Sequence, residues 1–151
     1  PSAEGVMHCH TQYGVAVASQ KDGLLPLTQM SLTALSQVRY HDFEGVTVRD
    51  EEGERLLANL GDNRILMLRN HGPVILGRSI GEIFIQHWSL QRACEIQLAT
   101  MAAGKPVVIP DEVVAVHQRD LGQVRLPGGP GKADFDAWVR IIDRTDRSWR
   151  D

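Results

Sequence analysis

Only two cysteines, Cys9 and Cys94, occur in 151 residues, too few for a disulfide framework. Beside six histidines they suit a reducing compartment, so the protein is expected in the cytoplasm. No apolar run approaches the ~20 residues that a membrane helix needs, and no charged-then-apolar export signal opens the chain, so no membrane partner is expected. Positive charge is not in excess either. Lys and Arg total 16 against 19 Asp and Glu, a net charge of −3 with His neutral, which provides no basic field for nucleic acid. A small-molecule substrate is the partner this balance leaves open. Nor does a methionine open the chain: it starts at Pro1 and enters a strand-like segment within a few residues, so a preceding segment is expected.

Hydrophobic residues at 42% and charged residues at 23% are ordinary for a folded globular chain, and the length suits one domain. Strand-like and helix-like patterns alternate without an internal repeat, which predicts an α/β fold. Gly5 to His10 and Val38 to Phe43 read as extended, and Tyr13 to Ser19 as a short helix. Asp50, Glu51 and Glu52 place negative charge at the start of a helix bearing Leu56, Leu57 and Leu60 on one side. Ile65 to Leu68 and Val74 to Leu76 are apolar runs joined by the turn Arg69-Asn70-His71-Gly72-Pro73.

Ser79 and Glu82 fit a capping box at the head of a long helix. Its apolar positions Ile83, His87, Leu90, Cys94, Leu98 and Met101 are widened by Ile80, Phe84 and Trp88. Gly104 and Pro106 stop it. A shorter helix from Pro110 to Gly122, a linker at Pro127 to Gly131, a final helix with Phe135, Trp138, Val139 and Ile142, and a charged tail with Trp149 complete the chain. Residues 1–104 thus read as a core, and 105–151 as helices and linker that belong to the same domain or to a subunit contact.

His8 and His10 are two apart on an expected strand, so both rings project from one face while Cys9 points to the other. Two imidazoles can converge on one ion, although a hydrogen-bonded pair fits the same spacing. His71 sits at a turn between strands, where α/β folds place ligand sites and where a capping role is also common. Three neutral imidazoles with an open position make a catalytic kind of metal site. Tyr40, His41 and Asp42 could relay protons or serve structure; His87 reads as a core histidine and His117 as a helix-surface residue. The stretch Gly128 to Lys132 fails as a phosphate loop, because Leu126 and Ala133 stand where Gly and Ser or Thr are required.

Taken in order, Val6-Met7-His8-Cys9-His10-Thr11, Gly23-Leu24-Leu25-Pro26-Leu27, Tyr40-His41-Asp42-Phe43-Glu44-Gly45, Leu68-Arg69-Asn70-His71-Gly72 and Ala93-Cys94-Glu95-Ile96-Gln97 resemble the landmarks of the class II aldolase/adducin family, from about Pro1 to about Met101. The resemblance implies an αβα layered domain, incomplete at its N-terminus. It also implies a divalent ion, zinc or else manganese, cobalt or iron, on His8, His10 and His71.

The implied activity is that of a metal-dependent, aldolase-type lyase acting on a small hydroxy-carbonyl substrate through a metal-stabilised enediolate. Epimerase, dehydratase or decarboxylase chemistry, or an adducin-like non-catalytic interaction module, are the alternatives. A homo-oligomer, with a tetramer favoured, is implied as well. The family's proton-transfer acid lies in an upstream segment; Glu4 does not match it, so no catalytic residue is assigned.

Overall fold

The strand Ile65-Leu66-Met67-Leu68 contains no polar residue, and its packing explains why. Successive side chains of a strand point to opposite faces, yet Ile65, Leu66 and Met67 are all buried, so both faces of the sheet are covered there. The computed structural model describes residues 3–46, 51–124 and 126–150. Within them run β1 (Gly5–His8), α1 (Gln12–Ala18), α2 (Gln29–Leu35), β2 (Val38–His41), α3 (Glu51–Leu60), β3 (Ile65–Leu68), β4 (Gly72–Gly77), α4 (Ile80–Ala103), α5 (Asp111–Leu121) and α6 (Lys132–Ile142). A 3-10 turn, Ser148–Arg150, follows.

The four strands form one sheet in the order β1-β4-β3-β2. β4 is antiparallel to both β1 and β3, whereas β2 and β3 are parallel. It follows that β1, β2 and β3 all run the same way and finish at one end of the sheet. Met7, Ile75 and Ile65 lie in register across one face, where Ile65 and Ile75 are buried with Val17, Leu90, Ala93 and Cys94. Helices α1 and α4 cover this face, and α3 packs across β2 and β3. Each fully buried Leu or Ile of such a core contributes roughly 1.5–3 kcal/mol relative to exposure.

Several expected elements differ in extent for identifiable reasons. β1 stops at His8, so His10 lies in the segment leading into α1 and not on the strand. β2 stops at His41. Asp50 lies outside the described residues; of its two acidic neighbours, Glu51 is exposed, whereas Glu52 turns inward and is buried. In α4, Ser79 caps the Glu82 N–H as expected, but the Glu82 carboxylate accepts from Arg78 N–H, one residue before the expected partner. Its apolar face is narrower than the pattern suggests. Leu90 and Cys94 are buried, but Ile80, Trp88 and Met101 stay exposed.

Helix α2 has no counterpart in the sequence reading. Its cap is a reciprocal pair in which Ser31, not Glu or Gln, answers Thr28. The other helices beyond residue 104 pack separately, α5 on α2 and α6 on α4, the latter through Phe84 against Phe135 and Trp138. None of the described helices is long and apolar enough to cross a membrane.

Candidate metal centre

The ends of β1 and β3 bring the expected histidines together. His8 is the last residue of β1, where alternation turns Met7 inward and His8 outward. His71 occupies the three-residue connection between β3 and β4, which Asn70 closes with a left-handed φ of 58°. Gly72 follows with a φ of 154°, and a Cβ there would stand 2.5 Å from the Cys9 carbonyl oxygen. Only glycine lets the turn approach the His8–His10 segment this closely.

The ring centroids of His8, His10 and His71 lie 4.6–4.9 Å apart in all three pairings, and one nitrogen from each falls within 4.8 Å of the others. The donor set suits a divalent ion. Two donors about 2.1 Å from a tetrahedral ion are roughly 3.4 Å apart, and the His8 and His10 Nε2 atoms are 2.9 Å apart, within reach of a small ring rotation. His8 is already oriented for the task. Its Nδ1 donates to the Pro73 carbonyl at 3.0 Å, which leaves the Nε2 lone pair facing the other rings.

His71 is held below the usual imidazole value, first by loss of hydration and then by His8 and His10, with Glu52 acting in the opposite direction. A neutral ring is the form that ligates a metal. The sulfur of Cys9 is not among the convergent donors, in keeping with its expected place on the opposite side of the segment.

Tyr40, His41 and Asp42 go separate ways. Tyr40 accepts a hydrogen bond from the Leu24 N–H at 2.8 Å, and the Arg69 guanidinium lies 4.0 Å over its ring. Burial, as the largest influence, raises its pKa. Arg69 also donates to the Gln20 carbonyl at 2.6 Å, so this pair anchors the loop after α1. Asp42 is exposed beside Lys21, Phe43 and Asn70 in an open cleft. His41 is buried and meets Glu44, Glu52 and Asn59, a cluster considered further below.

Two other histidines lie on helices. His87 is partly buried on α4, and burial lowers its pKa; His117 on α5 reaches Thr33 at 3.5 Å. The groups that sequence reasoning missed are the Pro73 carbonyl, Glu52 and Asn59. Main-chain acceptors leave no residue-type signal, and the inward turn of Glu52 is masked by its place in an acidic helix start.

Residues 1–98 match the Class II Aldolase and Adducin N-terminal domain family. The chain belongs to the class II aldolase/adducin family. A Pseudomonas aeruginosa protein named for aldolase class 2 is 41% identical over 97% of this chain and 58% of its own length. Alpha-adducin of Rattus norvegicus is 36% identical over 95% of the chain and 21% of its own length. The crystal structure of an aldolase II superfamily protein from Pseudomonas syringae superposes with a TM-score of 0.90 at 39% identity, over 99% of this chain and 60% of that one. This member of the family therefore spans a little over half the length of its bacterial relatives and about a fifth of the adducin.

Proposed function

We propose that this class II aldolase family chain is the metal-holding part of a metal-dependent, aldolase-type lyase that acts on a small hydroxy-carbonyl substrate. The observation that carries the reading is the convergence of His8, His10 and His71 at the end of the sheet. A divalent ion there, with zinc favoured by an all-imidazole donor set, supplies Lewis acidity toward negative charge on substrate oxygens. His8 is held in the ligating tautomer by Pro73, and Gly72 admits the turn that brings His71 to the other two rings.

The trio is open to solvent on one side, His8 and His10 being exposed, which suits entry of a small molecule. Similarity to bacterial aldolase class 2 relatives supports an enzyme, and assembly as a cytoplasmic homo-oligomer, with a tetramer favoured, accompanies the proposal. Elemental analysis of the purified full-length protein tests it. About one divalent ion per three-histidine site, lost on His71→Ala, is expected; no ion, or no loss, overturns the reading.

The similarity to alpha-adducin favours a second reading, an interaction module without catalysis. Convergent imidazoles with a preset tautomer are not needed by a scaffold. A folded, metal-free protein whose self-association is unaffected by His71→Ala favours the module.

A further inference from the structure

We propose that His41, Glu44 and Glu52 form a second divalent-cation site, distinct from the three-imidazole centre and independent of the lyase reading. His41 ends β2 with only 4% of its surface exposed, and its Nε2 is buried without a hydrogen-bond partner among the described residues. That nitrogen points between two carboxylates, 3.6 Å from Glu44 Oε1 and 3.8 Å from Glu52 Oε1. These separations are too long for N–H···O bonds, which lie at about 2.7–3.2 Å. They match the edges of a coordination polyhedron, since donors about 2.1 Å from one ion at the tetrahedral angle stand roughly 3.4 Å apart. All three donor atoms fall within 4.8 Å of one another.

The surroundings of the cluster suit a cation. Glu52 has 8% of its side chain exposed, and its carboxylate and that of Glu44 both face His41, an arrangement that favours positive charge, which Arg55 supplies on the Glu44 side. Arg55 holds Glu44 through two hydrogen bonds, at 2.8 and 2.5 Å, which orients that carboxylate. The Asn59 amide meets His41 Nδ1 at 2.7 Å. As placed, the amide nitrogen donates to Nδ1; ligation through Nε2 requires the amide to turn over, so that its oxygen accepts from Nδ1–H and the Nε2 lone pair faces the carboxylates.

Helix geometry does not account for Glu52. An acidic residue at a helix start is favoured by the dipole while it remains in solvent, as Glu51 does, and no such effect draws Glu52 inward against a histidine. One nitrogen and two carboxylates form a harder donor set than three imidazoles, so manganese is the ion of choice, with zinc admitted. The site lies one strand from the first, because the His41 carbonyl accepts the Arg69 N–H at 2.8 Å, two residues before His71.

The test uses the full-length protein with His8→Ala and His71→Ala combined, which disables the imidazole centre and leaves the second cluster intact. Titration with Mn2+, followed by calorimetry and electron paramagnetic resonance, is expected to give one bound ion per chain. Adding Glu52→Gln weakens it at least about tenfold while circular dichroism stays unchanged, since even outer-shell partners are worth roughly 10–100-fold. If Glu52→Gln disturbs folding, Glu44→Gln, on a more exposed side chain, gives the same readout. A folded His8→Ala/His71→Ala protein that takes up neither Mn2+ nor Zn2+, or one whose affinity ignores both glutamate substitutions, overturns the second site. Failure of the first reading is distinguishable, because it appears as metal content unchanged by His71→Ala in the otherwise wild-type protein.

Discussion

Two histidine clusters occupy the same end of the same sheet, yet they are built from opposite materials. His8, His10 and His71 present nitrogen only and stand largely in solvent; His41 is buried among Glu44, Glu52 and Asn59. Exposure separates their possible tasks. An ion in the first cluster can meet a substrate, whereas an ion in the second would tie the end of β2 to the start of α3. Strand direction accounts for their proximity, since β1, β2 and β3 all finish there, and the positions just beyond strand ends are where open α/β sheets concentrate polar groups.

The contrast can be broken hardest at His71. His71→Ala should weaken Zn2+ binding at the exposed centre by more than the ~100-fold that an outer-shell partner is worth, as read by calorimetry. Equal affinity before and after would mean that the ring proximity is incidental. Gly72→Ala acts on the same turn through the backbone. The new Cβ meets the Cys9 carbonyl at 2.5 Å, so a loss of about 1–3 kcal/mol in urea unfolding is expected together with weakened Zn2+ binding. An unchanged midpoint would show that the turn relaxes freely.

Acidity sharpens the comparison more gently. His71 takes up a proton less readily in the folded chain than unfolded, so its effect on stability is absent above the ordinary imidazole value of about 6.5. Below that value it works against the fold. Protons and metal compete for the same nitrogen, so Zn2+ affinity should fall steadily from about pH 7 to about pH 5. An affinity that holds steady across that range would exclude imidazole ligation.

The smallest effect is expected at the cysteines. Cys9→Ser should change Zn2+ affinity by less than about threefold, under half the ~1.4 kcal/mol that a tenfold change represents. Burial pushes the Cys94 thiol up to about 12, so iodoacetamide should reach it only after denaturation. A tenfold loss of affinity with Cys9→Ser would add sulfur to the first cluster.

The exposed cluster was legible from the residues because each member sits beside an obvious mark: an apolar strand for His8, a turn between two apolar runs for His71. His10 was placed correctly beside His8 for a partly different reason, since β1 ends before it and the following segment keeps its ring, still exposed, 4.7 Å from that of His8. The buried cluster was not legible as a unit. Its members come from β2, the segment after it and α3, and pairing across such distances depends on how α3 packs, which local pattern does not encode.

Helix α2 was missed because its Ser31 cap lacks the usual acidic or amide partner. The face of α4 was drawn too wide because periodicity marks which residues are apolar, not which of them a neighbour reaches. Gln97 shows the same limit in reverse. It is buried at 1% exposure, yet it accepts from Leu25 N–H and donates to Gln20 and the Gly23 carbonyl, a satisfied polar pivot that no apolar pattern foretells.

Pro73 stands inside β4, flanked by β1 and β3, opposite Met67. The Pro73 carbonyl accepts from the Cys9 N–H at 3.4 Å, so its main-chain edge faces the β1 side, and because an imino acid has no N–H to give, sliding β4 by one residue would turn that edge to β3 and leave a carbonyl there unpaired. The spacing of the imidazoles is therefore indexed to the main chain, and side chains elsewhere in the interior can drift in size over generations without detuning it.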